Sequence, residues 1–121
     1  MDIRGVKRGE IWTASGSGGY AGKPRPVVVI QGDEFGGTKT LTLVSLTTDP
    51  TEADLFRILI EPDGTNGLRM PSRLMVDKIT TLPRSRFGRK VGRLAGRDMR
   101  RLDDAISRFL GLPVTNIAAA P

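Results

Sequence analysis

At 121 residues the chain is long enough for one domain with a small core, and its 26% of charged residues argue against a wholly disordered polymer. It has no cysteine and no histidine, which removes disulfides, thiol nucleophiles, cysteine-based metal sites, the commonest metal ligand and the commonest acid–base side chain. A formal net charge of +6 and an isoelectric point near 10.5 favour a polyanionic partner, nucleic acid ahead of membrane, with a merely solubilising basic surface as the alternative. No apolar run approaches membrane-spanning length and the amino end lacks a secretory signal, so the expectation is a cytoplasmic protein.

Residues 1–8 form a polar, basic lead. Arg8-Gly9-Glu10-Ile11-Trp12-Thr13 alternates weakly and predicts a first short strand, with Trp12 as a core anchor. Ser15 to Gly22 is a loop too rich in glycine to be rigid on its own. Lys23-Pro24-Arg25-Pro26-Val27-Val28-Val29-Ile30-Gln31 follows, and its four consecutive β-branched residues predict a strand buried on both faces. Arg25 stands at its entrance between two prolines that disfavour helix.

Gly36-Gly37-Thr38 signals a turn, and Thr40 to Leu46 alternates as a third strand that ends in Thr47-Thr48-Asp49-Pro50. Leu55 to Glu61 predicts a fourth, with Phe56, Ile58 and Ile60 on one face, stopped by Pro62-Asp63-Gly64. Arg73 to Leu82 predicts a fifth, in which Leu74 and Val76 share one face and Arg73, Met75 and Asp77 the other. Arg89 to Leu94 is a candidate last strand. The period then changes: Met99, Leu102, Ile106, Phe109 and Leu110 make one apolar helical stripe, begun after Gly96 and stopped by Gly111-Leu112-Pro113. The tail from Pro113 to Pro121 has no periodicity and is expected to fray. Nothing marks a second domain or a repeat. The pattern predicts a mainly β chain with a C-terminal helix laid against a small twisted antiparallel sheet or barrel.

If the polyanion is RNA and the protein cuts it, a metal-independent route uses the substrate's own 2′-hydroxyl as nucleophile. Something must then take its proton, and something must stabilise the added negative charge at phosphorus. Asp77 is the leading base candidate, since it faces away from Leu74 and Val76. Arg25 suits the phosphate, because a guanidinium matches its oxygens bidentately, and Thr47 and Thr48 are placed to donate hydrogen bonds. The structural alternatives are an Arg25–Asp77 or surface ion pair, and ordinary turn chemistry at Thr47-Thr48-Asp49-Pro50. Tyr20 in the glycine loop is the one stacking platform there. Nine of the nineteen cations cluster late, at Arg84, Arg86, Arg89, Lys90, Arg93, Arg97, Arg100, Arg101 and Arg108, as a nucleic-acid footprint, a solvated face or a landing surface for an acidic peptide.

Lys7-Arg8-Gly9-Glu10-Ile11-Trp12, Arg25-Pro26-Val27-Val28-Val29-Ile30-Gln31 and Leu46-Thr47-Thr48 resemble the MazF/PemK family of bacterial toxin endoribonucleases. Ser72-Arg73-Leu74-Met75-Val76-Asp77-Lys78-Ile79-Thr80-Thr81-Leu82 and the ending Ile106 to Leu112 continue the resemblance in order, so that it spans residues 6–112 of a single domain, 1–121. It implies an SH3-like barrel or sheet of the CcdB/PemK type and a homodimer. It also implies cofactor-free and metal-free cleavage of single-stranded RNA to a 2′,3′-cyclic phosphate and a 5′-hydroxyl, and inhibition by an acidic antitoxin. Arg25 and Thr47 match the family's catalytic arginine and threonine, Thr48 the neighbouring hydroxyl position, and Asp77 the acidic position that acts as base in the Kid branch. Tyr20, Lys23, Thr48, Arg73 and Lys78 are then the expected RNA contacts. Two departures stand out: Met75 replaces the Kid-type arginine two residues before the acid, and the loop glutamate found in other members before the Arg-Pro step is absent. The competing functions are a CcdB-like gyrase poison and a plain basic RNA-binding module. The Arg25 and Thr47 pairing favours the nuclease.

Overall fold

A computed structural model describes residues 5–16, 23–51 and 55–113. The loop segment 17–22 with Tyr20, and the tail from residue 114 on, lie outside the described residues. Among the described residues six strands run in the order β1 (Glu10–Ala14), β2 (Arg25–Val29), β3 (Thr40–Thr47), β4 (Arg57–Ile60), β5 (Ser72–Pro83) and β6 (Phe87–Arg93), followed by one α-helix, α1 (Gly96–Phe109). All pair antiparallel in a single sheet of order β4-β5-β3-β2-β1-β6. Of the two architectures expected, this is the sheet, with β4 and β6 as its edges. The sheet curls enough that the turn after β4 reaches β6, where the Arg93 amide donates to Thr65 O at 2.9 Å. Gly67 makes that approach possible: its φ is +68°, and a Cβ there would overlap Val91 O.

The sequence pattern explains which face each strand buries. Val28 on β2 belongs to one core cluster with Ile11, Val44, Leu46, Ile60, Leu74 and Val76, onto which α1 sets Leu102 and Ala105. Val27 and Val29 belong to a second cluster on the opposite face with Trp12, Ala14, Leu41, Leu43 and Phe87. The β-branched run is therefore buried on both sides, as its composition predicts. Trp12 is buried, and its indole donates to Glu10 Oε1 at 3.0 Å. Burial alone raises the Glu10 carboxyl, but donors from Lys7 N–H, Lys90 and Trp12 outweigh it and hold the group below its ordinary range.

Strand boundaries differ from the sequence reading by no more than two residues. The fourth strand shrinks to Arg57–Ile60 because Leu55 is released to the surface, and β6 starts earlier, at Phe87, which inserts into the second cluster. The helix ends as Gly111 predicts: φ is +68°, the Gly111 amide donates to Arg108 O at 3.1 Å and the Leu112 amide to Ser107 O at 2.9 Å. The stripe is apolar throughout but its last turn is not core. Leu102 is fully buried and Met99 and Ile106 are partly covered, whereas Phe109 and Leu110 stay exposed. The basic lead is structural at Arg8, which pairs with Asp103 of α1, donates through Nε to Ile30 O at 2.9 Å and donates through its amide to Asp33 Oδ1 at 2.7 Å.

Candidate functional site

Register places the predicted residues before any side chain is considered. On β2 and β3, Val27 is opposite Ser45, and extending that ladder by two residues sets Arg25 across from Thr47. On β3 and β5, Thr47 is the registered partner of Arg73. Arg25 is itself paired with Ala14 on β1, and Arg73 with Leu59 on β4. Arg25, Thr47 and Arg73 thus form one transverse row on three adjacent strands, about 5 Å from strand to strand. Cross-strand partners share a face, and this is the face of the second cluster, opposite α1.

Each member is held from below. Arg25 follows Pro24 and precedes Pro26, and the buried Val27 to Val29 fix the strand beyond it, so its backbone has little freedom. Its side chain is half-buried with Nε shielded from water. Thr47 Oγ1 accepts the Asp49 amide at 3.1 Å, which fixes the hydroxyl oxygen and leaves its hydrogen available to an outside acceptor. The turn is tightened further by Asp49 Oδ1, which accepts Thr51 N at 2.9 Å and Thr51 Oγ1 at 2.7 Å. These donors hold the Asp49 carboxyl below its ordinary range. Thr48 is exposed just beyond the end of β3.

Asp77 arises from an irregularity. Between the pairs Val44–Ile79 and Leu46–Leu74, β3 has Ser45 alone while β5 has Met75 to Lys78, so β5 swells away from β3 around Asp77. The released segment leans on the other side, where Val76 N donates to Phe56 O at 3.0 Å. Asp77 then meets Arg57 of β4 through two hydrogen bonds, Nε to Oδ1 at 2.8 Å and Nη2 to Oδ2 at 3.0 Å. That fork is the chief cause holding the Asp77 carboxyl below its ordinary range, against the opposing effect of burial. Arg57 is raised in turn, first by Asp77, with Asp49 adding to it through space. Of the two structural alternatives for Asp77, its partner is Arg57 and not Arg25. Arg57 is registered with Met75 and two positions from Leu59, so the pair lies on the same face as the row.

Sequence reading overlooked Arg57, although the alternation of Phe56, Ile58 and Ile60 already put it on the face opposite the core. Its partnership with Asp77 depends on the β4–β5 register, which no local pattern encodes. Lys23 and Lys78 are exposed beside Arg25 and Asp77, whereas Tyr20 lies outside the described residues. Among the described residues no three acidic side chains gather in a metal-ligating cluster.

The late basic cluster does not form one patch. Arg84 donates to Thr38 O and Gly36 O, Lys90 pairs with Glu10 at 2.9 Å, Arg101 with Asp98 at 2.9 Å and with Leu59 O at 3.1 Å, and Arg108 with Asp104 at 3.3 Å. Arg89, Lys90 and Arg93 decorate the edge strand β6, where charge also discourages edge-to-edge pairing. The helix arginines belong to the layer behind the sheet, away from the Arg25 row.

Residues 7–110 match the family model described as the PemK-like, MazF-like toxin of type II toxin–antitoxin systems. The probable endoribonuclease MazF of Mycolicibacterium smegmatis is 51% identical over 107 residues, which cover 88% of this chain and 98% of that protein. Among solved structures, an endoribonuclease in complex with its cognate antitoxin from a mycobacterial species aligns with a TM-score of 0.73 at 21% identity, covering 91% of this chain and 99% of that one. The Mycobacterium tuberculosis toxin MazF-mt6 aligns with a TM-score of 0.71 at 24% identity, covering 85% and 97%. With a family match over residues 7–110 and half of 107 aligned residues shared with a MazF, the chain belongs to the PemK-like, MazF-like toxins of type II toxin–antitoxin systems.

Proposed function

We propose that this toxin, an endoribonuclease by family, cuts single-stranded RNA in the cytoplasm by attack of the 2′-hydroxyl on the adjacent phosphodiester, without a metal or cofactor. The observation that carries the reading is the transverse row of Arg25, Thr47 and Arg73, which aims two guanidinium groups and a positioned hydroxyl at one stretch of surface. Such a row is suited to a phosphate, whose oxygens accept from guanidinium and hydroxyl alike.

In this mechanism the 2′-O–H bond breaks and Asp77 takes the proton. The 2′-oxygen forms a bond to phosphorus, and Arg25 stabilises the charge that builds on the non-bridging oxygens. The Thr47 hydroxyl donates to one of those oxygens, with Thr48 beside it. The P–O5′ bond then breaks, the 5′-oxygen takes a proton from water, and the products are a 2′,3′-cyclic phosphate and a 5′-hydroxyl. Arg73, Lys23, Lys78 and Tyr20 contact the strand on either side. Arg25 is assigned an electrostatic role, since its planar fork matches the phosphate oxygens.

The protein acts as a homodimer inhibited by an acidic antitoxin. A cleft lined by Leu55, Phe56, Arg108 and Phe109, with Leu110 and Leu112 exposed just beyond it, offers apolar area of the kind a second copy covers. The Phe56 and Phe109 rings meet there at a tilt of 53°, 6.0 Å between centroids.

The test is to incubate purified protein with a mixed RNA in excess chelator and map the new ends. Discrete cuts bearing cyclic phosphate are expected. A strict requirement for added magnesium overturns the mechanism, and binding without any cut, or inhibition of gyrase in its place, overturns the activity.

A further inference from the structure

The Arg57–Asp77 fork poses a problem for the proposed base. A carboxylate that accepts two hydrogen bonds from one guanidinium is a weak proton acceptor, and protonating it means breaking that fork in a half-buried place. Yet the two residues lie on the same face as the row, Arg57 two positions along β4 from Leu59, which is registered with Arg73, and a phosphodiester oxygen competes for the same fork of N–H donors. We propose that Arg57 is a positioning residue that exchanges partners: the scissile phosphodiester draws its guanidinium from Asp77, and the released carboxylate then accepts the 2′-hydroxyl proton. The inference rests on the cleavage reading above and deepens it.

Several features of the site fit an exchange better than a static brace. Arg57 opens a short edge strand, β4, whose other flank pairs with no strand among the described residues. Asp77 sits where β5 has left its β3 ladder, so a small rotation of either side chain disturbs no sheet hydrogen bond there. The charged groups around the pair also favour it. Lys78 follows Asp77 on β5, Arg73 precedes it on the same face, and Asp49 in the turn after β3 acts on Arg57. With Asp49 beside it, the Arg57 cation keeps an anionic neighbour when it leaves Asp77. Chemically, the exchange links the two halves of the step. As negative charge grows on the phosphoryl oxygens, Arg57 follows it, and Asp77 becomes more basic as its proton arrives.

The experiment follows the Asp77 carboxyl by carbon NMR across pH in the wild type, Arg57→Gln and Arg57→Lys. Each is titrated alone and with a 2′-O-methyl RNA of the mapped cleavage sequence, which cannot be cut. In the free proteins the wild-type midpoint lies below those of both variants. Bound RNA is expected to raise the wild-type midpoint to that of RNA-bound Arg57→Gln, which itself moves clearly less, since it experiences phosphate repulsion alone. The lysine variant, which keeps the charge without the fork, guards against misfolding of the glutamine variant. Its expected shift on RNA binding is intermediate. If RNA perturbs Arg25 resonances while the wild-type Asp77 midpoint stays low, or if wild type and Arg57→Gln shift equally, Arg57 never leaves Asp77 and the exchange is wrong although the cleavage reading stands. If RNA perturbs neither residue, the site itself is wrong and the exchange falls with it.

Discussion

Thr47 on β3 is registered against Arg73 on β5, and the same row continues on β2 to Arg25. The relationship matters because the three residues are scattered in sequence and acquire a common direction through strand pairing alone. A one-residue slip of β2 against β3 would turn Arg25 toward the helix side, where Val28 and Val44 now pack. The buried valines of β2 thus serve the site by fixing its register.

Arg25→Ala should lower turnover by roughly two to three orders of magnitude, the range seen when one charge-stabilising donor is removed. Arg25→Lys should also be poor, since an ammonium does not reproduce the guanidinium fork. Thermal melting should change little in either variant, because the side chain sits at the mouth of the strand and outside both core clusters. Thr47→Ala should lose less activity than Arg25→Ala, because one hydrogen bond is removed and the charge remains. Wild-type rates in all three would make the row structural.

The Arg57–Asp77 fork makes acid stability a second readout. The folded Asp77 carboxyl lies below its ordinary value of 3.8, so the unfolded chain takes up its proton first as pH falls. The fork's contribution is complete above that value, and is lost as pH drops through it towards the lower folded midpoint. Asp49, Asp63 and Glu10 are shifted the same way and add to the slope. Arg57→Gln should therefore flatten, but not abolish, the fall in denaturant midpoint between about pH 5 and pH 2. A slope identical to wild type would show that the pair contributes nothing to folding.

Two positions test the fold. Leu102→Ala removes the fully buried helix residue that seats α1 on the sheet, and should cost about 2–5 kcal/mol in urea unfolding. Gly67→Ala should cost more than about 1 kcal/mol, because φ is +68° and the new Cβ meets Val91 O. An unchanged midpoint for Gly67→Ala would mean that the turn after β4 does not lie against β6.

An acidic antitoxin segment and uncut RNA should bind exclusively of one another, since both need Arg25 and the surface around it. Both should weaken with salt, whose screening length is about 8 Å at physiological strength. A ternary complex in a titration with 2′-O-methyl RNA would show that inhibition acts from elsewhere on the molecule.

Much of this was legible in the sequence for physical reasons. The period-two runs of β3 and β5, the two-sided valines of β2 and the apolar stripe closed by Gly111 each encode an element locally. Asp77 facing away from Leu74 and Val76 was legible for the same reason. What alternation does not carry is pairing between distant strands, so neither the alignment of Thr47 with Arg73 nor the swelling of β5 at Met75 to Lys78 had a local signature. The late arginines misled in the other direction. Their crowding along the chain suggested one basic surface, but folding sends some to a strand edge, some to the helix behind the sheet, and several to ion pairs or backbone carbonyls. Arg57 is a single cation in an apolar strand and has no local signature either.

The central claim is that the substrate's own 2′-hydroxyl is the nucleophile at the Arg25–Thr47 row. It is tested most directly with an RNA carrying one 2′-deoxy sugar immediately 5′ to the mapped scissile phosphate, compared with the all-ribose strand in chelator. Cleavage of the ribose strand and none of the substituted one is the predicted result. Efficient cutting of both, at the same phosphate, would contradict it.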